Sequence, residues 1–222
     1  MNVEIIPAIV PMDEIRMTEQ ISQIRAFAQT LQVDITDGIF TPHKTLQSVD
    51  IPESLLRGLS YEVHIMAEQS DEIVNQWIRR SPKRIIIHAE THPSALLLQQ
   101  IEHEGIEPMI ALLAPSSLTL LDQYLHLVQS ILFLSIDPPG DQGRSFIPNV
   151  LKKMRDFHIL HASYAIEADG GINEETMQKA MQSGATRLVV GSELFSNKRP
   201  PDEEFIYLTQ LAHQYANDIF RA

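Results

Sequence analysis

Short apolar runs rich in β-branched residues recur along the chain, and each is followed by a longer segment whose apolar positions return every three to four residues. The runs read VEIIPAIV, LQVDI, YEVHIM, RIIIHAE, EPMIALL, ILFLSI, YAIEADG and TRLVVGS. Between them lie MTEQISQIRAFAQT, SDEIVNQWIRRS, SALLLQQIEHEG, SLTLLDQYLHLV, IPNVLKKMRDFH and NEETMQKAMQSG, which read as helices, several opening on Ser, Thr, Asp or Asn at a plausible N-cap. PDEEFIYLTQLAHQYANDIF reads as the last helix. Strands alternating with helices imply parallel strands joined by right-handed crossovers. Eight such units in 222 residues predict an α/β fold, a single (β/α)8 TIM barrel domain over residues 1–222. A doubly wound open sheet is the runner-up.

The polar positions favour the barrel. They fall at the carboxyl ends of many different runs: Asp34 and Asp37, His64, His88, Asp137, Asp169, and Gly191 with Ser192. Barrel enzymes assemble their sites at that rim. No linker, low-complexity segment or repeat other than the eightfold alternation is visible.

Composition narrows the function. A formal net charge of -12 argues against sequence-independent nucleic-acid binding, so any phosphate on a ligand must be held locally. The absence of cysteine excludes disulfides, zinc–thiolate sites and cysteine nucleophiles, and suits a reducing cytosol. The opening MNVEIIPAIVPMDEIR carries Glu4 early and lacks a basic leader, so it reads as a first strand and not as a signal peptide. No run approaches the roughly 18 to 20 apolar residues of a membrane span, and a soluble protein is expected.

Three residues at strand ends carry candidate chemistry. By alternation, Asp34 shares a face with Gln32 and Thr36, and His64 shares one with Glu62 and Met66. Taken singly, Asp34 reads equally as an Asx-turn acceptor, His64 as a hydrogen-bonded core histidine, and Asp169-Gly170-Gly171 as a tight turn before a helix. Together they place two carboxylates and an imidazole on one rim, a first shell suited to a divalent metal with oxygen and nitrogen ligands. Two carboxylates from opposite sides of a barrel can also flank a flat substrate, removing a proton from one face and returning one to the other. DGGIN and VVGSELF would present the backbone N–H groups of Gly170, Gly171, Gly191 and Ser192 to a phosphate, or else are two ordinary strand-to-helix turns.

With QVDITDGIFTP, EVHIM, IDPPGDQGRSFIPNVLKKM, EADGGIN and VVGSELF in this order, the chain resembles the D-ribulose-5-phosphate 3-epimerase family over nearly its whole length. The resemblance implies a (β/α)8 barrel, a cytoplasmic homo-oligomer of carbohydrate (pentose phosphate) metabolism, and epimerisation of a ketose phosphate at C3 with one divalent metal ion (Zn, Fe, Mn or Mg). It assigns Asp34 and Asp169 as catalytic acid/base residues and metal ligands, and His64 as a metal ligand that also contacts substrate. Asp37 becomes a structural carboxylate. Gly140, Gly143, Gly170, Gly171, Gly191 and Ser192 become the phosphate cradle.

The departures from the family pattern cluster at the site. Gln32 stands where the family has a histidine as fourth ligand, and an amide oxygen is a weaker and harder donor, so affinity for zinc or iron should fall. Ala8 replaces a substrate-contacting serine, Thr36 and Leu134 replace two methionines of which only Met66 remains, and the loop from Asp137 to Gly143 is rewritten as DPPGDQG. These changes also admit a second expectation, an altered or inactive member that binds a sugar phosphate without the usual metal. A related phosphate-binding barrel with an Asp-x-Lys-x-x-Asp motif is disfavoured by Thr36 at the lysine position. His88 is open equally to direct contact at the site and to supporting a site residue from behind or plain packing. His43 lies in a loop that can meet substrate or solvent, and Trp77 is expected to pack a helix on the barrel.

Overall fold

A computed structural model describes residues 3–196 and 199–221, the side chains of Ser196, Phe220 and Arg221 excepted. Eight strands close into a parallel barrel in chain order, β1 pairing with β8. They are β1 (Glu4–Ile9), β2 (Leu31–Thr36), β3 (Tyr61–Met66), β4 (Arg84–His88), β5 (Glu107–Leu113), β6 (Ser130–Leu134), β7 (Ala165–Asp169) and β8 (Arg187–Val190). The helices are α1 (Glu14–Ile24), α2 (Glu53–Leu56), α3 (Ser70–Ile78), α4 (Ala95–His103), α5 (Asn149–Leu160), α6 (Glu174–Gln182), α7 (Ser192–Ser196) and α8 (Pro201–Arg221). The open-sheet alternative is thereby excluded.

Local chemistry sets the helix limits. Asp13 is extended and accepts from the Arg16 N–H at 2.8 Å, so α1 begins at Glu14, ahead of the start expected at Met17. Its buried Met17, Gln20, Ile21 and Ile24 form one stripe. Asn173 caps α6 by accepting from Glu175 and Thr176. The helix expected over SLTLLDQYLHLV is instead two 3₁₀ turns, Leu118–Leu121 and Leu125–Leu127. There, i to i−3 bonds join Tyr124 to Leu121 and Leu127 to Tyr124, and the Tyr164 hydroxyl draws out the Leu125 carbonyl.

Alternation along each strand divides the core in two. Val33, Ile35, Val63, Ile65, Ile85 and Ile87 face outward and pack with Trp77 and the other helix residues in the layer around the barrel. The inward positions stack in layers. Ile86, Met109, Ala111, Leu132 and Leu134 form one apolar cluster, and Ile6, Ala8 and Val189 another. Near the amino ends of the strands lies a charged layer: Arg84 bonds Glu62 at 2.5 Å, and Arg187 lies 3.4 Å from Glu107 and 4.0 Å from Glu167. Glu62 and Glu167 are fully buried. The carboxyl ends carry the site.

Among the described residues no helix is long and apolar enough to cross a membrane. Trp77 packs as expected, and Arg80 stacks 5.4 Å over the Trp77 ring and donates to the Ile51 carbonyl.

Candidate active site

The β2–β3 register pairs Asp34 with His64, which puts both side chains on the inward face of adjacent strands. Asp169 reaches the same point from β7, and Gln32 lies one pleat below Asp34. Gln32 Nε2 donates to Asp34 Oδ1 and to Asp169 Oδ2, each at 2.8 Å. His64 Nδ1 lies 3.4 Å from Asp34 Oδ1 and 3.2 Å from Asp169 Oδ2. The four residues expected to converge therefore do so, and all four are buried.

Burial sets the electrostatics, and neighbouring charges correct it. Desolvation raises the Asp34 carboxyl, against hydrogen bonds from His64 and Gln32 that lower it, while the Asp169 charge adds to the rise. Burial opposes a charge on His64, but bonds to Asp169 and Asp34 outweigh it and push its pKa up to about 10. The two carboxylates thus favour the protonated form of the His64 ring. Behind it, His88 Nε2 lies 2.9 Å from His64 Nε2, and burial lowers the His88 pKa to about 4. Glu90 Oε2 is 3.3 Å from His88 Nδ1.

Above the carboxylates opens a pocket whose lining includes apolar Ala8, Met66, Leu134 and Ile136 as well as Gly140, Gln142, Gly143, Gly170, Gly171, Gly191 and Ser192. Every residue expected in the phosphate cradle lines this one space. A Cβ on Gly170 would meet the Ile136 side chain at 2.8 Å, and one on Gly171 would meet the backbone N of Phe146 at 2.7 Å, with φ +66° at Gly171 adding strain. Gly171→Ala should lower stability by about 1–3 kcal/mol, read as a reduced urea midpoint, because backbone cannot yield as a side chain does. An unchanged midpoint would mean that residues 144–146 move freely.

The supports of this rim were only partly visible in the sequence. Asp37 is structural as expected: Oδ1 accepts from the Ile39 and Phe40 N–H groups, and Oδ2 from that of Glu68. His43 meets Asp141 at 3.6 Å, tying the loop after β2 to the loop after β6. Gln142 and Glu90 were not singled out. The Gln142 amide donates to the Ala8 carbonyl at 3.2 Å and lies where a Cβ on Gly191 would be, at 2.8 Å. No periodicity marks such a loop residue; HAE at the end of β4 was the available signal for Glu90.

The profile of the Ribulose-phosphate 3 epimerase family matches residues 4–195. The chain belongs to this family. The Ribulose-phosphate 3-epimerase of Synechocystis sp. is 30% identical over 205 residues, covering 88% of each chain. That of Helicobacter pylori is 29% identical over 202 residues, covering 88% of this chain and 92% of its own. Among solved structures, 3-hexulose-6-phosphate synthase from Salmonella typhimurium superposes with a TM-score of 0.71 at 10% identity, covering 96% of this chain and 100% of its own, a likeness of fold alone. Family membership makes the chain an epimerase, an enzyme of the isomerase class.

The residues also fit a divalent cation. Asp34, His64 and Asp169 offer ligand atoms that all lie within 4.8 Å of one another. Beside them, the buried Gln32 Oε1 lacks a hydrogen-bond partner. Two carboxylates, an imidazole and an amide form the mixed oxygen and nitrogen set that such ions take.

Proposed function

We propose that this epimerase interconverts a ketose phosphate with its C3 epimer, D-ribulose 5-phosphate being the substrate, and that Asp34 and Asp169 carry the proton. The observation that supports this most directly is the convergence of the two carboxylates, from strands far apart in the barrel, on one Gln32 amide below a glycine-lined pocket. The C3 proton is acidic because C2 is a carbonyl, and its removal leaves a planar enediolate. One carboxylate takes the proton from one face, and the other delivers a proton to the opposite face. The raised pKa of Asp34 makes it a stronger base than an exposed aspartate. Backbone N–H groups at Gly170, Gly171, Gly191 and Ser192, together with Gly140 and Gly143, hold the phosphate and fix C3 between the carboxylates. The setting this reading supports is a homo-oligomer in the cytoplasm.

Asp34, His64, Asp169 and Gln32 would hold the cation, which supplies Lewis-acid stabilisation of the charge that develops on the substrate oxygens. A half-turn of the Gln32 amide exchanges Nε2 for Oε1 at the centre of the cluster. His64 would hold the cation only with Nδ1 unprotonated, so affinity would rise with pH. The amide favours manganese or magnesium over zinc or iron. Gln32→His should therefore raise zinc affinity about tenfold or more, the lower end of what changes around metal ligands produce, and leave manganese affinity nearly unchanged. Calorimetric titration checks this, and equal effects on both ions would refute the preference.

The activity test is C3–H exchange in D2O with D-ribulose 5-phosphate, following appearance of the epimer. Exchange is expected with at least one of manganese, magnesium, zinc and iron. Its absence with all four would sink the substrate assignment.

A further inference from the structure

Beneath the carboxylates, His64 Nε2 and His88 Nε2 lie 2.9 Å apart, and both rings are fully buried. A hydrogen bond between two ring nitrogens holds one proton, so one ring donates and the other accepts. The far side of His88 decides which. Its Nδ1 lies 3.3 Å from Glu90 Oε2, and an ionised carboxylate only accepts, so His88 Nδ1 carries a proton. A second proton would place a full charge on a buried imidazole pressed against another, so His88 Nε2 is bare and accepts from His64. Glu90 is itself fixed, because its Oε1 accepts from the Leu113 N–H at 2.9 Å at the end of β5.

We infer that Glu90 and His88 are positioning residues that lock a proton on His64 Nε2, leaving His64 Nδ1 as the nitrogen that offers its electron pair to a divalent cation between Asp34 and Asp169. Neither residue lines the substrate pocket. The inference rests on the cation-assisted reading above and adds the order of protons that prepares the site. Ligand histidines depend on such outer partners for tautomer and orientation.

Glu90→Gln should invert the order. The amide oxygen must still accept from Leu113, which turns the NH2 toward His88. His88 Nδ1 then becomes an acceptor and His88 Nε2 a donor, so His64 gives up its Nε2 proton and keeps the one on Nδ1, where it blocks a cation.

Long-range ¹H–¹⁵N spectra of histidine-labelled, metal-free protein read the order directly. In the wild type His88 should be protonated on Nδ1 and bare on Nε2, and in Glu90→Gln the reverse. Calorimetry with manganese(II) alone should show affinity about 10–100-fold weaker in Glu90→Gln. The steady-state counterpart is a kcat that recovers at high manganese with an unchanged KM for the sugar phosphate. A merely structural Glu90 would leave the tautomers alone. His88→Phe, which removes the acceptor, should weaken manganese binding similarly and serves if Glu90→Gln fails to fold. Wild-type His88 protonated on Nε2, or manganese affinity within twofold of wild type in both variants, would overturn the inference. Failure of the wild type to bind manganese would count against the cation reading, while the reversal in the spectra still decides the relay.

Discussion

Asp34→Asn and Asp169→Asn should each lower kcat for epimerisation by about 10²–10⁴-fold, the range over which a positioned acid or base contributes. Both residues lie within 2.8 Å of the same Gln32 nitrogen, so each variant also disturbs the partner carboxylate, and the double variant should lose far less than the product of the single losses. Exchange at C3 distinguishes proton carriers from mere supports. With one carboxylate gone, the survivor still removes the proton from whichever epimer presents it to that face. Each variant should therefore wash deuterium into one epimer and not the other, with opposite preference in the two variants. The same preference in both, or either variant keeping more than about a tenth of wild-type kcat, would contradict the two-face assignment. Thermal stability should hold or rise, because either change relieves the repulsion between two buried carboxylates.

Arg84→Met should destabilise the barrel by about 3–5 kcal/mol, measured by urea denaturation, because it leaves Glu62 buried without its cation. Arg84 is almost wholly buried, bonds Glu62 at 2.5 Å, and also reaches Glu4 and Glu107 at 3.8 and 3.9 Å. Burial already raises Glu62 and Glu167, with Arg84 pulling each down. In the variant that restraint is gone, and the folded state holds protons that the unfolded chain releases near the ordinary value of 4.5. Stability of the variant should then fall as pH rises above about 4.5, since the native state binds the extra proton. Adding Glu62→Gln should recover much of the loss. A single variant as stable as the wild type at neutral pH would show that the charged layer carries no stabilising pair.

Much of this architecture was legible along the chain. Eight β-branched runs, each followed by a helical stripe, can bury both faces of a parallel sheet in few ways, and polar residues at the carboxyl ends of many strands select the closed one. Period-two alternation placed Gln32, Asp34 and His64 inside before any contact was known, because that period is a property of the extended backbone. The segment 117–128 shows where this reasoning stops. Its leucines are spaced well enough for a helix, yet it forms two 3₁₀ turns, where the Leu125 carbonyl is taken by the hydroxyl of Tyr164, 39 positions away.

The sequence by itself determined the barrel, the strands and the inward residues, since local periodicity and strand order suffice for these. Tertiary structure alone decided how those residues meet. That the Gln32 amide bridges Asp34 to a carboxylate 137 positions from itself, that Glu90 reaches through His88 to His64, and that Gln142 lies against Gly191 are matters of strand stagger and loop path. Hydrogen bonds and proton order depend on distances of a few tenths of an ångström between elements remote in the chain, and no local pattern encodes such distances.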